Sequence, residues 1–413
     1  MKNRVVITGM GAITPIGNDV ESFWNSIKEG KCGIDFITYF DTTDFKAKLA
    51  AEVKGFNPEE SLDRRSIKRM DRFCQLAVIA AKEAIANSKL DLENIDHERF
   101  GVIVGSGIGG FKTIEEQHKK LIERGPGRVS PLVIPMIISN MAAGNIAIEF
   151  GARGICSNIV TACATGTNAI GEAFHLLQDD RVDIMIAGGT ESSITPLAIA
   201  GFTSMTALST STDPLRASIP FDKDRNGFIM GEGSGILILE TLTHAQKRGA
   251  KIYGEVVGYG STCDAYHITS PAPGGVGAAR AMIMAIKEAG INPEEISYIN
   301  AHGTSTPPND KLETAAIKSV FGEAAYKIPV SSTKSMTGHL LGASGAIEAI
   351  VCVKALEEGF IPATIGYKVP DEDCDLDYVP NLGRKKQLKY AMSNSLGFGG
   401  HNATILLKKW DGK

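Results

Sequence analysis

Apolar and polar positions divide this chain into short, almost wholly apolar runs and longer segments with a helical period. Runs at 4–8, 100–105, 157–161, 183–187 and 235–240 read as strands buried on both faces. A second series follows at 252–258, 297–301, 328–332, 389–393 and 403–408. Apolar residues recur at helical spacing in 75–87, 168–178, 278–289 and 344–357. The two series correspond in order. A-A-K-E-A-I precedes F-G-V-I-V-G in the first, and A-I-K-E-A-G precedes S-Y-I-N-A-H in the second. N-I-V-T-A leads to G-T-N-A-I-G-E-A, and I-P-V-S-S leads to G-A-S-G-A-I-E-A. Each series closes on a glycine-rich turn into an apolar strand, G-E-G-S-G-I-L-I-L-E and G-G-H-N-A-T-I-L-L-K. Such ordered matches predict a duplicated α/β unit, with halves at 1–250 and 251–413 meeting at a pseudo-twofold axis. The first half is longer, and its extra residues are expected in 30–70, 110–145 and 200–230.

Composition narrows the class. Of 413 residues, 43% are hydrophobic, enough for a large core. The net charge of −4 gives no global attraction to nucleic acid or an anionic membrane. Seven cysteines stand singly, with no CxxC pair, as expected of a reducing compartment rather than a disulfide framework. The start, M-K-N-R-V-V-I-T-G-M-G, lacks the pattern of a secretory signal, and no apolar stretch approaches a membrane span. A soluble, cytoplasmic protein is the expectation.

Chemistry concentrates in a few segments. In V-T-A-C-A-T-G-T-N-A-I-G an apolar strand ends, Cys163 follows, and small residues open a helix. Such an elbow aims a nucleophile along a helix N-terminus, where free N–H groups favour a thiolate and can hold an oxyanion. A buried, inert cysteine fits the same window. His302, in N-A-H-G-T-S-T-P, and His339, in K-S-M-T-G-H-L-L-G-A, are placed at strand ends of the second half. Their glycine- and threonine-rich surroundings differ from those of the helix histidines His175 and His244. If the pseudo-twofold brings the strand ends together, Cys163 faces both imidazoles. A thiol with two imidazoles suits acyl transfer, or zinc if a fourth ligand were supplied. S-N-S-L-G-F-G-G-H-N, 393–402, sets glycines around Phe398, as in a mobile turn with an aromatic lid or in a plain tight turn. Gly105, Gly107 and Gly110 spell G-x-G-x-x-G. V-S-P-L-V stands about twenty positions later, where a dinucleotide site needs an acidic residue, so nucleotide binding is rejected.

In this order, T-A-C-A-T-G, N-A-H-G-T-S-T-P, K-S-M-T-G-H-L-L-G-A-S-G and N-S-L-G-F-G-G-H-N resemble the motifs of the thiolase-superfamily condensing enzymes. The closest resemblance is to their β-ketoacyl-[acyl-carrier-protein] synthase II branch, from R-V-V-I-T-G-M-G-A-I-T-P to G-F-G-G-H-N-A, essentially the whole chain. It implies an α/β, five-layered αβαβα fold of two similar halves, a homodimer, and decarboxylative condensation of an acyl thioester with malonyl carrier protein. Cys163 would carry the acyl group delivered by an acyl carrier protein. The N–H groups of Cys163 and Phe398 would form the oxyanion hole, with Phe398 as gate. His302 and His339 would promote decarboxylation and stabilise the enolate, and Lys334, paired with Glu348, would tune the charge. The resemblance further implies pantetheine contacts at Thr304 and Thr306 and an acyl pocket at Ile108 and Phe202, with residue 108 gating chain length. It implies no cofactor beyond the carrier's phosphopantetheine. A monovalent cation occurs in relatives, here near Asn300, Glu348, Ser393 and Asn394. Thiolases would need a cysteine within 393–402, initiating synthases an asparagine in place of His339, and chain-length-factor partners a glutamine in place of Cys163. A free-standing polyketide ketosynthase shares the whole set and stays open, as does a non-catalytic or zinc-binding relative.

The run R-R-S-I-K-R-M-D-R holds Arg64, Arg65, Lys68, Arg69 and Arg72. It fits a solvated helix face, or a cationic patch for an acidic carrier protein, with Arg65, Lys68, Arg69 and Arg128 as docking residues. Gly127, Thr206 and Ile219 replace basic residues common in relatives, so a weaker or shifted interface is expected.

Overall fold

The computed structural model describes residues 2–412. Its main sheet has ten strands. The first half supplies β1 (Val5–Ile13), β2 (Phe100–Gly105), β3 (Cys156–Ser157), β4 (Ile184–Glu191) and β5 (Gly233–Thr241). The second supplies β6 (Gly254–Cys263), β7 (Ile296–Asn300), β8 (Val330–Ser331), β9 (Tyr390–Gly397) and β10 (His401–Lys409). The spatial order is β8-β7-β9-β10-β6-β1-β5-β4-β2-β3, so each half has the same order, mirrored about a β1–β6 seam. That seam is antiparallel and short, running from Val5↔Val256 to Ile7↔Gly254.

Helices α1 (Arg72–Ser88) and α2 (Met141–Phe150) pack on the strands of the first half. Helices α4 (Val276–Ala289) and α5 (Pro307–Phe321) occupy the corresponding place in the second. Between them, α3 (Thr165–Gln178) touches β2 and β4 as well as β6 and β10, while α6 (Ser344–Glu358) touches β9 and β10 as well as β4 and β5. Helix, sheet, helix, sheet, helix is the layering that the resemblance implies. Burial explains the strand composition: β1 and β5 are buried at every position and have no polar alternation.

The duplication extends to single contacts. A Cβ on Gly9 or Gly11 of β1 would lie 2.3 and 1.9 Å from the carbonyl oxygens of Ala84 and Ala80 on α1. A Cβ on Gly258 or Gly260 of β6 would lie 2.1 and 1.9 Å from those of Ala285 and Ala281 on α4. In both halves, glycine on the strand lets the covering helix rest on bare backbone.

Two expectations need correcting. The strand expected over 157–161 pairs only at Cys156–Ser157. It is the edge of the sheet, and beyond Ser157 the chain leaves the ladder for the elbow. His339 does not end a strand: a helical turn, Lys334–Thr337, intervenes. The His339 backbone N–H instead donates to the Ile229 carbonyl at 2.7 Å, so a first-half segment holds it. Among the described residues no helix is long and apolar enough to cross a membrane.

Candidate active site

The two halves place their chemistry at one cavity. Cys163 sits in the helical turn Ala162–Ala164 that opens α3. Ala162 holds φ at +50°, a left-handed conformation costly for a residue with a Cβ, and this bends strand into helix at the nucleophile. His302 follows β7, and its backbone N–H donates to Glu313 on α5 at 2.8 Å. Ligand atoms of Cys163, His302 and His339 all lie within 4.8 Å of one another. The imidazole rings of His302 and His339 meet edge to face, with centroids 5.3 Å apart. His339 Nδ1 lies 2.9 Å from the Ser344 hydroxyl, while His339 Nε2 and His302 Nδ1 are buried without a partner among the described residues.

Electrostatics sets the resting protonation. Burial holds both imidazoles well below the ordinary histidine value, and the charge of Lys334 adds to it. Both are therefore neutral near pH 7. Burial also pushes the Cys163 thiol up to about 12. Lys334 opposes this, as do hydrogen bonds from the backbone N–H groups of Phe398 and Cys163 itself, whereas Glu191 reinforces it. Lys334, 1% exposed, pairs with the buried Glu348. Burial lifts the Glu348 carboxyl to about 7 against the pull of Lys334. A fixed ammonium beside the thiol and imidazoles disfavours a divalent cation among them, which weighs against zinc.

A cavity of about 800 Å³ opens over Cys163, lined by His302, His339, Thr304, Thr306, Phe202 and Phe398 among others. The hydroxyls of Thr304 and Thr306 are 2.8 Å apart. Phe398 stacks on Phe202, centroids 6.3 Å apart, at the tip of the β9–β10 hairpin. Gly399 and Gly400 in that turn have φ near +84° and +76°, and Gly399 N–H donates to the Ile268 carbonyl at 2.8 Å. Ile108 does not line the cavity; it packs in the apolar cluster that also takes in Cys163, Phe202 and Leu341. Among the described residues Asn300 Oδ1, Ser393 Oγ and Glu348 Oε2 are buried without hydrogen-bond partners, whereas the side-chain oxygen of Asn394 accepts from Thr404.

Residues 2–245 match the family described as Beta-ketoacyl synthase, N-terminal domain, and residues 253–368 match Beta-ketoacyl synthase, C-terminal domain. The chain belongs to the β-ketoacyl synthase family. It is 56% identical over 410 residues to the 3-oxoacyl-[acyl-carrier-protein] synthase 2 of Synechocystis sp., covering 99% of each chain. It is 54% identical over 408 residues to the synthase 2 of Staphylococcus aureus, again covering 99% of each. Among solved structures it resembles a chain of a type II PKS acyl-carrier protein in complex with its ketosynthase, bound to the hexaketide. There the TM-score is 0.93 at 38% identity, covering 100% of both chains.

Other expected residues of this β-ketoacyl synthase lie apart from the cavity. Arg64, Arg65, Lys68 and Arg69 are exposed on and just after a short helix, and Arg128 is exposed on a separate turn. Arg72 leaves the basic face: its guanidinium donates to the buried Glu232 at 2.9 and 2.8 Å and to Tyr39 at 3.0 Å. Ile219 is buried, with its N–H donating to the Ser305 hydroxyl, so its replacement of a basic residue alters packing rather than surface charge. Sequence reasoning missed Glu313 and Glu191. Glu313 accepts from the N–H groups of both His302 and Gly303, and burial raises it to about 7. Its signal was a carboxylate on the helix face shared with Ala316 and Ile317, where only core residues belong. Glu191 is the one charged residue of a strand buried at every position, the same kind of signal.

Proposed function

We propose that this chain catalyses the decarboxylative Claisen condensation of an acyl carrier protein thioester with malonyl carrier protein, as a 3-oxoacyl-[acyl-carrier-protein] synthase of fatty-acid elongation. The observation that carries this reading is the meeting of Cys163, His302 and His339 within 4.8 Å over one cavity. The Cys163 sulfur attacks the acyl thioester carbonyl, and the carrier's pantetheine thiol leaves with the proton. Backbone N–H groups of Cys163 and Phe398 receive the oxyanion. Malonyl carrier protein then loses CO₂, and the electron pair of the broken C–C bond passes into a thioester enolate. Neutral His302 and His339 donate hydrogen bonds to that enolate oxygen. The enolate carbon attacks the acyl-Cys163 carbonyl, a new C–C bond forms, and the cysteine sulfur leaves. The product is a 3-oxoacyl thioester two carbons longer. Because departing CO₂ supplies the carbanion, the site needs no strong base, in keeping with two imidazoles held neutral.

Several supporting roles belong to the same proposal. Thr304 and Thr306 contact the pantetheine arm, Phe202 and Ile108 border the acyl chain, and Phe398 gates the cavity. Arg65, Lys68, Arg69 and Arg128 attract the acidic carrier protein. The partnerless oxygens of Asn300, Ser393 and Glu348 suit a monovalent cation, which would add fixed positive charge behind the site. The halves divide near 250, at the seam. Homodimerisation is supported by the short edge strand Cys156–Ser157 and by Val160, Ile134, Ile138 and Ile148, which are 44–80% exposed. The activity is placed in the cytoplasm. A polyketide role is less favoured, since the synthase 2 relatives are 54–56% identical and the polyketide ketosynthase chain 38%.

With purified acyl and malonyl carrier proteins, the wild-type chain is expected to form 3-oxoacyl product and to show an acyl adduct on Cys163 by mass spectrometry. Cys163→Ala should form neither. Condensation by Cys163→Ala would overturn the reading.

A further inference from the structure

The second half carries a copy of the nucleophile's elbow. Leu341, Gly342 and Ala343 form a helical turn before α6 as Ala162, Cys163 and Ala164 do before α3. Leu341 and Ala162 share a positive φ, 47° and 50°. Gly342 thus occupies the position of Cys163. At Cys163 the backbone N–H faces the sulfur and the cavity. At Gly342 it is already taken, donating to Glu191 at 3.1 Å.

Glu191 is fully buried, and it gathers more donors than this one. Its carboxylate accepts from the N–H groups of Gly107 at 2.9 Å and Ile108 at 3.3 Å. It also accepts from the hydroxyls of Ser106 at 2.9 Å and Ser193 at 3.3 Å. The Ser106 hydroxyl in turn accepts from Gly109 N–H at 3.0 Å, so the whole 106–109 turn is tied to one carboxylate. The fit is tight: a Cβ on Gly107 or Gly342 would lie 2.8 and 2.9 Å from Oε2. A carboxylate turns two acceptor oxygens to these donors, whereas an amide has a single acceptor oxygen and would turn an NH₂ toward them. The turn it holds carries Ile108, which packs in the cluster shared with Cys163, Phe202 and Leu341.

We propose that Glu191 is a positioning residue that sets the acyl-chain gate, pinning the Gly107–Ile108 backbone against the Gly342 elbow. It thereby limits how long a chain on Cys163 can extend past Ile108. The inference rests on the proposed role of Ile108 as chain-length gate. Burial raises the Glu191 carboxyl while these hydrogen bonds oppose it, and its negative charge raises the nearby thiol, so its removal has a second, electrostatic signature that a purely structural role would not leave.

Glu191→Gln, matched in size, is expected to raise the ratio of kcat/KM for long over short acyl carrier proteins by roughly 3–10-fold. It should also speed iodoacetamide alkylation of Cys163 at pH 8 several-fold, since the other groups facing the thiol, Lys334, His302 and His339, are untouched. Ser106→Ala, which removes one donor and frees Gly109, should shift the chain-length ratio less and in the same direction. An unchanged ratio in a folded Glu191→Gln overturns the inference; should that variant not fold, an unchanged ratio in Ser106→Ala does so. Ile108→Ala, run alongside, shows which reading failed. If it alone shifts the ratio, only the Glu191 link falls; if it too leaves the ratio unchanged, the gate falls with it.

Discussion

The elbows at Cys163 and Gly342 share a backbone and divide the labour. Both place a non-glycine residue at positive φ and then open a helix of the middle layer. In the first half the elbow presents a thiol to a cavity. In the second it presents a bare N–H to an internal carboxylate, and the chemistry of that half has moved to His302 and His339. A duplicated fold thus supplies two strained turns facing one another, and only one of them has to bind substrate. The copy without a side chain lets the second elbow pack against the 106–109 turn: a Cβ on Gly342 would fall 2.5 Å from the Gly107 nitrogen.

The sharpest way to break this division is kinetic. His302→Ala or His339→Ala should lower condensation by about 10²–10⁴-fold while Cys163 still takes up the acyl group. Acyl-enzyme mass spectra beside steady-state rates would show it. Equal loss of both steps would mean that the halves do not divide the work.

A smaller effect separates the elbows by stability. Leu341→Gly relieves strain but empties a buried site in the apolar cluster, and a loss of about 2–4 kcal/mol is expected. Ala162→Gly relieves the same strain and removes only a methyl group, so it should change stability by about 1 kcal/mol or less. Urea unfolding of both variants tests whether the cost follows the side chain rather than the shared backbone conformation.

The smallest effect concerns pH. A histidine whose folded value is depressed binds its proton in the unfolded chain first, so its contribution weakens as pH falls below the ordinary value near 6.5. Glu313 and Glu348, raised by burial to about 7, act the other way, but they are common to the wild type and a His339→Gln variant. Between pH 7 and 5.5 the wild type should therefore lose stability relative to His339→Gln, by on the order of 1 kcal/mol per pH unit. Melting temperatures across that range would reveal a constant difference if the imidazole were not held neutral.

Much of this is legible in the sequence. The strand series, the repeat and the Cys163, His302 and His339 set could be read because buried strands and glycine elbows leave strong local patterns. The edge strand was over-read beyond Ser157 because an apolar run does not say where its hydrogen-bond partner ends. Arg72 looked like its basic neighbours, and only the fold brings the buried Glu232 beneath it. Glu313 and Glu191 escaped for the same reason: each acts on backbone N–H groups, and backbone donors carry no residue-type signature.

The middle layer has a consequence for how the chain is made. Helix α3 is buried over most of its length, from Thr165 to Gly171 and at Ala173, Phe174 and Leu177, partly against β6 and β10. Those strands leave the ribosome later. Until they arrive, a first half already able to fold would display an uncovered helix ending in Phe174 and Leu177. Such a nascent chain is a natural client for a chaperone that shields apolar surface, and slow translation of the second half would prolong that exposure.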